Sequence, residues 1–425
     1  MERTTDSYQK CVRILEEELI PAMGCTEPIA FAYAAALARD LLGAVPDRVC
    51  ICASGNLIKN VKSVIVPNTG GLKGIPAAAA AGIIAGQPEK LLTVISEVSD
   101  EQKAQMRSYL EQTPVEVALA ESGLVLDLTV TVFRGEESAQ VRIANQHTHV
   151  VFRRKNDAIL QDDLVQAEDA GTPTDCGGLT LKTICEFADC VDLSDVREIL
   201  DRQIACNMAI AEEGLRGSYG AQIGKVIAGR PEESLRKRCV SMAAAGSDAR
   251  MNGCEMPVVI NSGSGNQGIT ASVPVIVYAE AIGAPREKLY RALVLSNLTA
   301  IYQKRGIGRL SAYCGAVNAG SACACGIAYL EGGDYRCIAH TLVNALAICS
   351  GMICDGAKAS CAGKIAMAVE AGFLGYEMFC HGQQFRDGEG IVKKGVDNTV
   401  SNVGRLGRVG MRQTDVEILH MMIGE

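Results

Sequence analysis

Apolar positions recur at helical spacing between residues 8 and 22, where Val12, Leu15 and Leu19 form one stripe, the pattern of a helix that buries a single side. Thr26-Glu-Pro supplies start signals for a second helix running through Ala30, Ala34, Leu37 and Leu41. The character then changes. Residues 48–66 read as two short strands about Ser54-Gly-Asn56, and Pro67-Asn-Thr-Gly-Gly71 reads as a turn into an alanine-rich helix over 75–86. Leu124, Leu126, Leu128, Val130 and Val132 alternate with other residues and share one strand face, and Val141 to Arg153 continues as strand. This alternation predicts an antiparallel sheet, buried on one face, over about residues 46–155.

Between 156 and 178 the chain turns polar and reads as a linker. From 179 to 425 nearly every segment has helical period, interrupted by glycine-rich joints at 214–220, 261–268, 305–308 and 351–356. The expected fold is therefore α+β: N-terminal helices over 1–45, a small sheet domain over 46–155, the linker, and a helical domain over 179–425. A length of 425 residues supports two domains, and 48% hydrophobic with 21% charged residues marks a globular chain.

A net charge of −8 argues against a nucleic-acid partner, which needs a basic patch to neutralise phosphates. The N-terminal stretch has acids where a secretory signal has an apolar core, and no run of about 18 apolar residues predicts a membrane span. The expectation is a cytoplasmic homo-oligomer that handles a small molecule.

Eighteen cysteines without a tryptophan is an unusual balance. In a reducing compartment most serve as small buried hydrophobes, and a few are left for chemistry. No C-x2-C pair exists, which removes the zinc-ribbon and bacterial-ferredoxin patterns. Cys50 and Cys52 share a strand face without a third ligand nearby, while Cys323 and Cys325 on a helix point about 200° apart; both pairs read as structural. Cys354 and Cys361 differ. On an unbroken helix they would stand about 10.5 Å apart along the axis, but Asp355-Gly356 between them can bend the chain and bring two thiolates together. Cys314, in Leu310-Ser-Ala-Tyr-Cys-Gly315, lies at a similar break. Spacing alone suits a cluster site and three core thiols equally well.

Several motifs in order carry a resemblance over nearly the whole chain: Pro21-Ala-Met-Gly-Cys-Thr-Glu-Pro28, Lys59-Asn-Val-Lys62 with Val66-Pro-Asn-Thr69, Asp248-Ala-Arg-Met251, Asn261-Ser-Gly-Ser-Gly-Asn-Gln-Gly268, Leu310 to Gly315, and Gly351-Met-Ile-Cys-Asp-Gly-Ala-Lys358. On these the sequence resembles the iron–sulfur L-cysteine desulfidases, relatives of the iron–sulfur L-serine dehydratases. The resemblance implies a [4Fe–4S] cluster on Cys314, Cys354 and Cys361, with the fourth iron open to substrate. The C-x39-C-x6-C spacing departs slightly from the dehydratases, whose gaps are longer. Those enzymes also carry a cysteine in a C-terminal tail that can cap the open iron, whereas the last cysteine here is Cys380. Cys25, in the Gly-Cys-Thr-Glu-Pro motif, is then the candidate beside that iron. A thiol just before a helix start is also poised as a thiolate by the helix's positive end, although Glu27 opposes this.

The implied reaction is non-redox β-elimination from L-cysteine to sulfide, pyruvate and ammonia, with iron as Lewis acid and Cys25 as catalytic base. Ser262, Gly263, Ser264, Asn266 and Gln267, at the start of an apolar helix, are candidates to bind the substrate carboxylate. Lys358, Arg250, Arg305 and Arg309 are candidate cationic partners, each equally suited to a structural ion pair. His147 and His149 share a predicted strand face and read as surface residues, and His340, His381 and His420 match no ligand spacing. Three other readings remain: an iron–sulfur serine dehydratase, a pyridoxal-phosphate lyase using Lys358, and a non-catalytic iron–sulfur sensor.

Overall fold

The structure, a computed structural model, describes residues 1–24, 26–165, 175–308 and 311–423. Its first helix, α1 (Asp6–Glu18), is capped by Thr5, whose hydroxyl accepts from the Tyr8 N–H, and it buries Tyr8, Cys11, Ile14 and Leu15. A short strand β1 (Pro21–Met23) follows, and then α2 (Thr26–Leu42), buried along almost its whole length.

The next segment builds a sheet with helices on one face. It runs β2 (Arg48–Ala53), α3 (Gly55–Val61), α4 (Gly74–Ala85), α5 (Asp100–Gln112), β3 (Val115–Leu119), β4 (Asp127–Arg134), β5 (Glu137–Ala144), β6 (Val150–Lys155) and β7 (Ala158–Asp162). Spatial order is β3-β2-β4-β5-β6-β7. Neighbours are antiparallel except β2 and β3, which run parallel. The register sets Ile51 beside Val130 and Val130 beside Val141, so one continuous apolar row packs against α2 and α4.

Two expectations need correction. The chain after Ser54 is the helix α3, not a second strand: Leu57 and Val61 are buried and lie four residues apart, one helical turn on the same side. The sheet also extends past residue 155, since β7 occupies Ala158–Asp162 within the expected linker. Within that linker, residues 166–174 lie outside the described residues.

The remaining chain is helical: α6 (Leu181–Cys190), α7 (Arg197–Arg216), α8 (Ile223–Ala228), α9 (Leu235–Met251), the strand β8 (Pro257–Val259), α10 (Gly265–Ala281), α11 (Arg286–Ile307), α12 (Gly315–Leu330), α13 (Tyr335–Cys349), α14 (Cys361–Cys380), α15 (Val396–Arg405) and α16 (Arg412–Ile423). Among the described residues no helix is long and apolar enough to cross a membrane.

Two large apolar cores result among the described residues, beside two small clusters. One belongs to the helical body and includes Tyr8, Cys11, Ile14 and Leu15 of α1; the other belongs to the sheet body and includes α2. The two N-terminal helices therefore divide between the bodies. β1 lies between them and pairs antiparallel with β8, Pro21 opposite Val259.

Candidate functional site

Both bodies line a cavity of about 900 Å³. Cys314, Cys354 and Cys361 all reach its wall. Tyr313 and Ile353 form an isolated antiparallel bridge. Around it the Cys314 N–H donates to the Met352 carbonyl at 3.0 Å and the Cys354 N–H to the Ala312 carbonyl at 2.6 Å. Cys314 is the N-cap of α12 and Cys361 opens α14, with its N–H on the Lys358 carbonyl at 3.0 Å. Two of the three thiols thus stand at helix N-termini, where free N–H groups favour negative charge.

The chain between Cys354 and Cys361 is a loop, as the glycine suggested. Gly356 has φ of +90°, and a Cβ there would lie 2.3 Å from the Lys59 carbonyl oxygen. It therefore permits both the bend and a close approach to α3 of the sheet body. Asp355 braces this loop through ion pairs to Lys358 and Lys364. Burial alone would push its carboxyl up, but the two ammonium groups outweigh burial and draw it down to about 2.

The thiols feel one another. Burial pushes Cys314 up to about 12, with the neighbouring Cys354 and Cys361 charges adding to the effect and Lys364 opposing it. Cys361 is raised by burial and then by Cys354. Among the described residues no three His, Cys, Asp or Glu side chains gather closely enough to hold a single metal ion. The C-x-C pairs play no part in the cavity. Cys323 and Cys325 are fully buried, and their thiols donate to the Gly320 and Ser321 carbonyls at 3.1 and 3.3 Å.

On another wall, Ser262 and Gly263 both have positive φ, 51° and 76°, as a type I′ turn requires. Asn261 and Ser264 close the turn with reciprocal backbone bonds of 3.1 and 3.0 Å. Ser264 then caps α10 by accepting from the Gln267 N–H. A buried amide network holds the turn from behind: Asn261 Nδ2 donates to Asn297 Oδ1 at 3.1 Å, and Asn297 Nδ2 donates to Gln203 Oε1 at 2.8 Å. Arg250, only 4% exposed, lies against this helix start, and a Cβ on Gly265 would stand 2.2 Å from its Nε. Arg250 Nε, Asn266 Oδ1 and Gln267 Oε1 line the cavity as buried polar atoms with no hydrogen-bond partner among the described residues.

The cationic candidates separate. Arg250 lines the cavity, whereas Lys358 does not: its Nζ is held by the Asp355 carboxylate at 2.5 Å and by the Asp355 and Gly356 carbonyls, each at 3.1 Å. Lys358 therefore braces the loop. Arg305 turns outward, with Nη1 donating to the Cys176 carbonyl at 2.6 Å. Cys25 and Arg309 lie outside the described residues. The residues just after Cys25 do reach the cavity: the Thr26 hydroxyl is 3.3 Å from the Gly263 carbonyl, and Glu27 Oε1 accepts from Asn60 Nδ2 at 3.2 Å.

The sheet body contributes residues that the sequence reading missed. Asn56, Lys59 and Asn145 line the cavity, and so does His147, which sits in the turn between β5 and β6 and not on an open strand face. Lys59 was visible only as part of a motif, and Asn145 gave no signal. From the opposite side, the π-helical turn Leu406–Gly410 and α16 cover the cavity. Asp415 of α16 pairs with the buried Lys59, and Lys62 Nζ donates to the Met422 carbonyl.

With this geometry in view, comparison with known proteins is informative. Residues 89–420 match the family described as serine dehydratase alpha chain. A UPF0597 protein of Desulfitobacterium hafniense is 56% identical over 429 residues, covering 100% of this chain and 99% of its own length. UPF0597 proteins of Treponema denticola and Finegoldia magna are 44% and 45% identical, covering 98% and 96% of this chain and 98% of their own lengths in each case.

Proposed function

Because the chain belongs to the serine dehydratase alpha chain family, we propose that it is a lyase acting on a small α-amino acid. Its reaction is the non-redox β-elimination of sulfide from L-cysteine on a [4Fe–4S] cluster held by Cys314, Cys354 and Cys361. The observation that carries the reading is the meeting of these three cysteines on one cavity with Arg250, whose buried Nε has no hydrogen-bond partner among the described residues.

The donor set fits such a group. A cluster asks for one thiolate on each of several irons, not for three ligands around a single ion. Three thiols spread over a bridge and a helix start, with backbone N–H groups beside them, match that demand. When bound, the cluster would supply a Lewis-acidic iron that stabilises the departing sulfur.

The chain's own residues do the rest. Arg250 offers a fixed guanidinium to the substrate carboxylate, and the turn at Ser262–Ser264 with the α10 N-terminus adds N–H groups. Cys25, two residues before Glu27 at the cavity wall, serves as the base that takes the α-proton. The electron pair left at Cα becomes the Cα–Cβ double bond as the Cβ–S bond breaks, so nothing is oxidised or reduced. The aminoacrylate then tautomerises and hydrolyses to pyruvate and ammonia. α16 contributes Arg412, Asp415 and Val416 to the cavity wall.

L-Serine is the second candidate substrate, favoured by the family description, and the same residues serve its dehydration. Anaerobic purification followed by iron and acid-labile sulfide assay tests the cluster. Wild type is expected to hold about four irons per chain, and Cys314→Ala, Cys354→Ala and Cys361→Ala are expected to lose them. Cys25→Ala is expected to keep the cluster and lose turnover. A full cluster in Cys361→Ala removes that residue from the ligand set, and a higher kcat/KM for serine than for cysteine overturns the substrate assignment.

A further inference from the structure

We propose that the sheet body supplies the subsite for the substrate's ammonium group, through the side-chain oxygens of Asn145 and Asn56. The proposal rests on the amino-acid reading above and extends it to residues outside the helical body.

Asn145 has φ of +65°, a conformation that asparagine tolerates better than most residues. Backbone geometry could account for an asparagine here, but not for how its carboxamide is left. Asn68 and Asn156 are the other asparagines with positive φ, at 58° and 51°, and both use their side chains. Asn68 Nδ2 donates to the Ile95 carbonyl at 2.7 Å, and Asn156 Oδ1 accepts from the Ser138 N–H at 2.8 Å. Asn145 is 8% exposed and its Oδ1 is buried on the cavity wall without a partner among the described residues. Its backbone is fixed, with the N–H on the Leu126 carbonyl at 3.0 Å, so the side chain is held at the wall. Asn56, at the start of α3, presents to the same cavity a second oxygen without a partner among the described residues.

A buried acceptor without a donor is costly unless a ligand completes it. An ammonium group has three donors and no acceptor, and a neutral amide oxygen receives it without fixing a counter-charge. The guanidinium of Arg250 repels an ammonium and attracts a carboxylate. Amide oxygens on the sheet side and a guanidinium on the helical side therefore orient a zwitterion across the junction of the two bodies. This arrangement selects α-amino acids over the corresponding simple acids.

The test is calorimetric titration of the cluster-loaded full-length protein under anaerobic conditions with L-alanine, which has the ammonium group but no leaving group, and with propionate, which lacks the ammonium. Asn145→Gly keeps the backbone conformation allowed and removes the carboxamide. It is expected to weaken L-alanine binding about tenfold or more while propionate changes less than about twofold. Asn145→Asp keeps an acceptor and is expected to retain L-alanine binding. Unchanged iron content and circular dichroism in both variants establish that the fold is intact. Equal loss for both ligands, or no loss for either, overturns the proposal and assigns Asn145 a structural or water-binding role. If wild type turns over cysteine or serine while Asn145→Gly binds L-alanine normally, this proposal fails alone. If wild type binds neither ligand, the amino-acid reading fails with it.

Discussion

The sheet body and the helical body meet at one cavity but are built on opposite terms. In the sheet body the apolar row from β2 to β5 against α2 and α4 is almost free of polar groups, and its contributions to the cavity come from a helix start, a turn and short connections. The helical body carries polar chemistry inside its core: Gln203, Asn207, Asn261 and Asn297 are each 0% exposed and bonded to one another or to the backbone. That network holds the turn at Ser262–Ser264 from behind, and each body leaves amide oxygens at the wall without a partner among the described residues: Asn266 and Gln267 on the helical side, Asn56 and Asn145 on the sheet side. The buried amides specify one arrangement of the helical core, whereas the sheet body reaches the cavity only through its connections.

The junction itself is the place to break this division, and Gly356 offers the largest effect. Gly356→Ala would set a Cβ 2.3 Å from the Lys59 carbonyl oxygen in a backbone region at +90°. The thiol loop and α3 must then separate, and about 3 kcal/mol or more of stability should be lost in urea unfolding, together with cysteine turnover. Gly351→Ala is the matched control. It has φ of +124° but no atom within 4 Å of the added Cβ, so it should cost only backbone strain, about 1–2 kcal/mol. Equal losses in the two variants would mean that the close approach to Lys59 contributes nothing.

A smaller effect is expected from Asp415→Asn. Lys59 is 2% exposed and Asp415 is 18% exposed at the side chain, so the substitution leaves a buried ammonium with a neutral acceptor. A loss of about 1–3 kcal/mol is expected, with a fall in kcat as α16 loosens over the cavity. Urea unfolding and sulfide release measure the two effects. A stability change below about 0.5 kcal/mol would show that α16 is held by its apolar contacts, such as Leu419 on Gly55, and not by the ion pair.

How much of this was legible in the sequence follows from the same contrast. Period two exposed β4 and β5 because each strand buries one face, and the alanine run exposed α4. The stretch after Ser54 was misread because Leu57, Ile58 and Val61 suit either period in so short a segment, and only packing decides. That Cys314, Cys354 and Cys361 come to one cavity was legible because their motifs are long and contiguous. Asn145 was illegible: a single asparagine in a turn has many reasons to be there, and only the absence of a partner in three dimensions marks it. The position of Lys358 was equally illegible, since a lysine in a motif looks the same whether it faces a substrate or its own loop.

The smallest expected effect separates the two bodies in another way. Asp248, 1% exposed in α9, accepts the Gly224 N–H at 2.8 Å through one oxygen and has no partner on the other. Burial pushes its carboxyl up to about 6, against the pull of the Gly224 and Ile223 N–H groups. The unfolded carboxyl titrates near about 3.9, so the folded state holds the proton more tightly. This group's stabilising contribution is therefore complete below about pH 4 and is lost as pH rises through about 6. Asp248→Asn keeps an acceptor for Gly224 and removes the titration. The pH dependence of unfolding should flatten between about pH 4 and 6, by about 1 kcal/mol after allowance for solvent relaxation. Because Asp248 belongs to the helical body, the comparison sharpens if the two cores unfold in separate steps. The flattening should then appear in the helical step alone, and an equal change in both steps would mean that the bodies unfold as one cooperative unit.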